Sequence, residues 1–179
     1  MVDEAARSNA PLSAPSHAHD VVREGVLAGL LGATSVAAWF FIVDLVAGRP
    51  LHTPLTLGRA LISVLGPAAM PDGALTVTLA YTVAHYAVFI AIGLMATWLV
   101  HRSESVPSVL AGFLILFLAF QLAFFGLVAI LTQSPQFGEM AWYQIGLANL
   151  VAFGLMGTYI YRRHPAVGAR FGSVLAGGE

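Results

Sequence analysis

The sequence predicts an all-α integral membrane protein whose four transmembrane helices form two tandem hairpins. Three observations lead to this prediction: the composition, four long apolar stretches, and a similarity between the two halves of the chain. Of the 179 residues, 58% are hydrophobic and only 9% are charged, whereas about one quarter of an ordinary soluble domain is charged. Such a chain has too few polar side chains to cover an apolar core in water, so a lipid environment is expected.

Four apolar stretches are each long enough to cross a bilayer, which takes about 20 residues of helix. They lie at residues 25–47, 75–100, 107–131 and 140–161. Residues 1–21 are mostly small or polar and contain proline, which is typical of a disordered tail. The predicted organisation is therefore this tail, a first hairpin (22–102), a second hairpin (103–163) and a flexible tail (164–179).

The positions of the arginines predict the direction of the helices, because cytoplasmic loops are enriched in positive residues. Lysine is absent, and six of the eight arginines fall on the side of the termini and the middle loop. Only Arg49 and Arg59 fall on the other side. Both termini are thus predicted in the cytoplasm, with the 48–74 and 132–139 loops outside, and the bacterial inner membrane is the expected location.

An internal similarity relates the two hairpins. Residues 93–102 (GLMATWLVHR) align with residues 154–163 (GLMGTYIYRR) with five identities, and the string VLAG occurs at both 26–29 and 109–112. Odd spans run in one direction and even spans in the other, so the two copies would share one topology. The predicted relation is a parallel repeat about an axis along the membrane normal.

The first outer loop, residues 48–74, contains a predicted short amphipathic helix. Thr53 can cap its N-terminus with Pro54 at the first helical position, and Gly66 followed by Pro67 would end it. A helix of this pattern is expected to lie flat at the outer interface. Two interpretations remain open for the loop: a docking surface that includes Arg49, His52 and Arg59, or a connector without a further role.

Polar residues inside the spans are the candidates for chemistry, because each is unfavourable in lipid unless it is paired or hydrated. They are Asp44, Tyr81, His85, Gln121, Gln144 and Asn149. One hypothesis is a polar pocket in the outer half of the bundle, in which Asp44 and His85 relay protons. The favoured alternative pairs Asp44 with Arg49 and assigns interhelical hydrogen bonds to the deeper side chains.

Several classes of site are not expected from this sequence. Cysteine is absent, which excludes thiolate metal sites, iron–sulfur clusters and a cysteine nucleophile. A haem held by two histidines of one subunit is not expected, because His85 is the only histidine well inside a predicted span. His17 and His19 in the tail form at most a weak metal-binding pair, so no metal site is predicted and the cofactor is left open. No nucleic-acid-binding pattern is present.

These features favour a non-catalytic small subunit, or an assembly or accessory protein, of a larger membrane complex. The expected partners are the lipid bilayer and other membrane-protein subunits or further copies of the chain. One alternative is a small oligomeric transporter or channel with a polar pocket in its outer half. A second is a haem- or quinone-associated redox protein. It is the least favoured, because the sequence shows no acid–base groups spaced so that one could activate another.

Overall fold

The computed structural model describes residues 17–63, 73–103, 118, 121, 122, 126 and 139–164, with the backbone alone for 17–19, 103 and 139–142. This part of the chain is all-helical, which confirms the predicted class. Its four helices are α1 (His17–Val46), α2 (His52–Ser63), α3 (Ala74–Ser103) and α4 (Glu139–Arg163). Residues 118, 121, 122 and 126 are also helical, whereas the rest of the predicted third span lies outside the described residues.

Two of the helices are long and apolar enough to cross a membrane. They cover Asp20–Val46 and Ala74–Arg102, and only 28% and 17% of their most apolar windows are buried. The core helix of a soluble protein that is equally long and apolar is mostly buried, and these two helices are not. The helix α4 coincides with the predicted fourth span, but polar residues such as Gln144 and Asn149 interrupt its apolar sequence.

The helix boundaries differ from the predicted ones at both ends of the described chain. Helix α1 begins at His17, inside the segment predicted as a tail (1–21). At the other end, His164 belongs to the predicted flexible tail (164–179), yet its backbone N–H bonds the Ile160 carbonyl and its ring reaches Glu24 on α1. At the C-terminal end, the contact with Glu24 extends order beyond the apolar stretch that defines the span.

Helix α1 is central and packs antiparallel to α3 through glycines. A Cβ atom on Gly25 would lie 2.6 Å from the Cα of Leu94, and one on Gly29 would lie 2.5 Å from the Cα of Ile90. Gly93 of α3 is equally tight, since its Cβ would overlap the backbone of Gly25. The two backbones therefore approach as closely as small-residue helix pairs in membranes do.

Helix α4 runs in the same direction as α3 and packs against α1 beside it, since a Cβ on Gly32 would meet both Met156 of α4 and Phe89 of α3. Two small clusters of buried side chains join these helices. One consists of Ala28, Ala96, Met156 and Ile160, and the other of Val36, Ala148 and Ala152. Most of these side chains are small, so close helix approach rather than a large apolar core holds this part of the bundle together.

A tight reversal connects α1 to α2. Gly48 has a φ of 68°, and two hydrogen bonds close the end of α1, from Gly48 N–H to the Leu45 carbonyl and from Arg49 N–H to the Asp44 carbonyl. This is the Schellman arrangement, which favours glycine because the residue is left-handed. The chain turns again at Leu51, whose φ is 64°. These turns bring the start of α2 back against the last turns of α1.

Candidate functional site

The α2 end of the bundle holds a buried carboxylate. Asp44 is only 4% exposed. Its Oδ2 accepts a hydrogen bond from the Thr53 backbone N–H and its Oδ1 accepts one from the Thr53 hydroxyl, both at 2.7 Å. Asp44 thereby caps the N-terminus of α2. The first backbone N–H groups of a helix have no acceptor within the helix, and the helix dipole favours a negative charge at this end.

This arrangement differs from the local ion pair expected between Asp44 and Arg49. Arg49 is exposed, and its contact with Asp44 is the backbone hydrogen bond of the turn. The predicted capping role of Thr53 also changes. Because α2 begins at His52, two residues before the predicted first helical residue Pro54, Thr53 lies in the first turn and donates to Asp44.

A cavity of about 380 Å³ lies between α1, α2 and α3 at this end. Asp44, Tyr81 and His85 line it, so the structure brings together three of the six polar residues predicted for a pocket. The remaining lining consists mainly of apolar and threonine side chains of the three helices. An apolar cavity with few polar groups is typical of a site for a small organic molecule.

His85 joins α3 to α1 across this cavity. Its Nε2–H donates to the Ala33 carbonyl at 3.1 Å, because a carbonyl can only accept. The ring packs between Tyr81 and Phe89, with centroid distances of 5.8 and 4.8 Å. Ligation of a haem iron through Nε2 would require this interhelical bond to break.

The remaining predicted pocket residues do not line the cavity. Asn149 on α4 donates its Nδ2–H to Oε1 of Gln121 at 3.0 Å. Gln144 is half-buried on α4. The six predicted residues therefore divide into three that line the cavity, the interhelical amide pair Asn149–Gln121, and Gln144 on α4.

The predicted docking residues lie on or beside α2. Arg49 and Arg59 are exposed, whereas His52 is half-buried. The opposite face of α2 contacts α3 at Gly58, where an added Cβ would lie 2.8 Å from Cγ1 of Val77. Helix α2 is thus attached to α1 through a carboxylate and to α3 through a close glycine contact.

A second cluster lies at the end of the bundle opposite α2, and no pattern in the sequence predicted it as a site. Glu24, His101 and His164 come from α1, from the last turn of α3 and from the residue after α4. One potential metal-binding atom from each of the three side chains lies within 4.8 Å of the other two. The predicted topology places all three residues at one membrane face, but no spacing within a single helix relates them.

The three side chains of this cluster are in close contact. Oε2 of Glu24 and Nε2 of His164 are 2.9 Å apart, and the two imidazole centroids are 4.5 Å apart in an edge arrangement. His101 donates its Nδ1–H to the Thr97 carbonyl at 3.0 Å. A cavity of about 300 Å³ adjoins the cluster and is also lined by Asp20, Arg23, Tyr159 and Arg163.

Comparison of the chain with protein families, curated proteins and solved structures finds no match.

Proposed function

We propose that this chain is a non-catalytic accessory subunit of a larger membrane complex and that α2 is the surface its partner contacts. The observation that supports this most is the Asp44–Thr53 contact, in which a carboxylate that is 4% exposed accepts two hydrogen bonds from the start of α2. Burying a carboxylate is unfavourable unless its oxygens are bonded. Its use here to position a short helix favours a defined role for that helix.

The polar residues of the spans also favour a structural role. The carboxylate of Asp44 is bonded to Thr53, Nε2 of His85 to the Ala33 carbonyl, and the amide of Asn149 to that of Gln121. Each of these groups already has a partner within the bundle. A catalytic or proton-relay function would need at least one of them to exchange that partner during each cycle.

Helix α2 has the properties of a docking surface. It is held by Asp44 at one end and by the Gly58–Val77 contact in its middle, so its outward face has a fixed position. Arg59 and Leu61 are both exposed, one on each side of the buried Gly58 and Ile62, so a partner would contact α2 along both flanks of its packed side. Among the side chains described at this end, Asp44 is the only carboxylate, and it is buried. The partner we propose is therefore a membrane-protein subunit with an acidic group opposite Arg59 and an apolar group opposite Leu61.

The topology proposed for this function is four spans in two tandem hairpins, with both termini in the cytoplasm of a bacterium and α2 on the outer side of the inner membrane. The arginine distribution and the repeat support it. Through the repeat, the contact of Gly29 with α3 would have a counterpart at Gly112, and Gly93 would correspond to Gly154.

Co-purification tests this function directly. The full-length chain would be solubilised in a mild detergent, recovered through a tag, and its partners quantified by mass spectrometry. We expect a stoichiometric partner whose recovery falls several-fold with Arg59→Glu or Leu61→Gln, as for residues central to an interface. Arg102→Gln is the matched control, because Arg102 is exposed at the other end of the bundle. Recovery of the chain only as a monomer or homodimer would contradict the proposal.

A second candidate, a small transporter, is favoured by the cavity that Asp44, Tyr81 and His85 line. In a proton-coupled version, Asp44→Asn and His85→Ala would each abolish pH-dependent flux into vesicles while leaving the helical content intact. Unchanged flux in both variants would exclude that version. The apolar lining and the engaged polar groups make this candidate second to the accessory subunit.

A further inference from the structure

We propose that Glu24, His101 and His164 bind a divalent first-row transition-metal ion, of which Zn²⁺ is the simplest case, at the end of the bundle opposite α2. This site is separate from the docking surface, and the proposal does not depend on the proposed function. It rests on the positions of the donor atoms, on the orientation of one imidazole and on the buried hydroxyl of Tyr159, a residue that lines the adjoining cavity.

The donor atoms already lie near ligand spacing. Zinc–nitrogen and zinc–oxygen bonds of about 2.0–2.2 Å place two ligands of one ion roughly 3–3.5 Å apart. Oε2 of Glu24 and Nε2 of His164 are 2.9 Å apart, and the potential ligand atoms of all three residues lie within 4.8 Å of one another. The ion would replace the proton that Nε2 of His164 shares with the Glu24 carboxylate, and that proton would be released to solvent. Small adjustments of the Glu24 and His164 side chains would then let all three donors share one ion, without movement of the helices.

His101 is oriented as a metal ligand would be. Its Nδ1 must carry the proton, since it faces the Thr97 carbonyl at 3.0 Å and a carbonyl only accepts. In the neutral imidazole, Nε2 then carries the lone pair. Metal-binding histidines commonly donate their second ring N–H to a backbone carbonyl in this way, which holds the tautomer and the ring orientation.

The cluster is largely buried and adjoins a cavity large enough for an ion with a bound water. The side chains of His164 and Glu24 are 13% and 14% exposed, and the adjoining cavity measures about 300 Å³. Tyr159 lines this cavity, and its buried hydroxyl has no hydrogen-bond partner among the described residues. A water molecule in the fourth position of a three-ligand zinc site would be a suitable partner for that hydroxyl.

The charges around the cavity are balanced. Asp20 and Glu24 oppose Arg23 and Arg163, and the guanidinium of Arg163 lies 5.6 Å from the centroid of the Tyr159 ring, where the aromatic face stabilises it. A simple ion pair between His164 and Glu24 would account for their contact. It would account neither for the approach of His101 nor for the unpartnered hydroxyl of Tyr159.

The donor set indicates the class of metal. Two imidazoles and one carboxylate suit Zn²⁺ and neighbouring divalent ions such as Fe²⁺, whereas Ca²⁺ and Mg²⁺ prefer oxygen ligands alone. The sequence contains no cysteine, so a soft thiolate site is excluded.

Zinc titration of the full-length chain tests the proposal. The protein would carry a tag without histidine, be stripped of metal by a chelator in detergent, and be titrated with Zn²⁺ in competition with a chromophoric chelator. We expect one ion per chain, and at least about tenfold weaker binding in His101→Ala, His164→Ala and Glu24→Gln, since even the loss of an outer-shell contact typically weakens binding about tenfold or more. Circular dichroism would verify that each variant is folded.

His17 and His19 provide the matched control, because they lie at the start of α1 near Asp20 and form the alternative metal-binding pair. A His17→Ala, His19→Ala double variant should bind zinc as the unaltered chain does. Zinc should also raise the midpoint of thermal unfolding of the unaltered chain but not of the three ligand variants. Unchanged affinity in the ligand variants, loss of binding only in the double variant, or a Glu24→Gln effect on stability with no zinc binding by the unaltered chain would each overturn the proposal.

Discussion

Asp44, near the end of α1, accepts hydrogen bonds from both the backbone N–H and the hydroxyl of Thr53, each at 2.7 Å. Residues 48–53 make this contact possible. Gly48 and Leu51 have left-handed backbones that reverse the chain, so that Thr53 returns to the carboxylate. The contact also ties the position of α2 to α1, and so places the proposed docking surface.

Loss of this contact should destabilise the protein. We expect Asp44→Ala to lower the free energy of unfolding by about 1–3 kcal/mol, since the Thr53 N–H loses its acceptor, and Thr53→Val by about 1 kcal/mol through loss of one hydroxyl bond. Thermal unfolding in detergent would measure both. The Asp44→Ala, Thr53→Val double variant should lose less stability than the two single losses added together, because both substitutions remove the same contact. Strict additivity would show that the two side chains do not interact.

Gly93 should not tolerate a side chain. Gly93→Ala places a Cβ against the backbone of Gly25, and overpacking of this kind costs about 1–3 kcal/mol. Gly157 is the matched control, because an added Cβ there meets no described atom within 4 Å. Comparison of the two thermal unfolding midpoints measures the difference, and equal midpoints would contradict the close α1–α3 packing.

The substitution Gly154→Ala tests the predicted tandem repeat. Gly154 is the repeat counterpart of Gly93, and an added Cβ meets no described atom within 4 Å. If the third span packs on α4 as α1 packs on α3, Gly154→Ala should destabilise the protein by an amount similar to Gly93→Ala. A midpoint equal to that of Gly157→Ala would count against the second hairpin.

The hydrogen bond between the amides of Gln121 and Asn149 should contribute modestly to the stability of the protein. Interhelical hydrogen bonds in membranes average about 0.6 kcal/mol, so Asn149→Leu should cause a small loss of stability and leave the Gln121 amide unpaired. The double variant Gln121→Leu, Asn149→Leu should recover part of that loss, because no amide is then left without its partner. A double variant less stable than both single variants would contradict a simple pair.

Tyr159→Phe separates a structural role of the hydroxyl from a role at the proposed metal site. Because the buried hydroxyl has no partner among the described residues, its removal from the metal-free protein should leave the unfolding midpoint unchanged or slightly raised. Zinc affinity should fall, since the hydroxyl would no longer bond the metal-bound water. A clear loss of stability without metal would instead reveal a structural partner.

The sequence predicted the helices more accurately than it predicted the contacts of individual side chains. The apolar runs predicted helices at the positions of α1, α3 and α4, and the turn residues predicted α2 nearly to its first residue. Asp44, Tyr81 and His85 line one cavity, and the polar proton-relay pocket expected from them stays a prediction. The partner of Asp44 was wrong, because the charge of Arg49 suggested an ion pair, whereas the backbone turn determines which group reaches the carboxylate.

The sequence by itself determined the helical class, the approximate helix limits and the fact that α1 and α3 are long and apolar enough to cross a membrane. These properties depend on local composition and on the length of apolar runs. Only the tertiary structure decided that Thr53 bonds Asp44, and that Glu24 meets His164, a residue 140 positions away. Such contacts depend on the rotation and depth of each helix against its neighbours. Those are set by close packing at residues such as Gly25 and Gly93, and no periodicity within one helix encodes them.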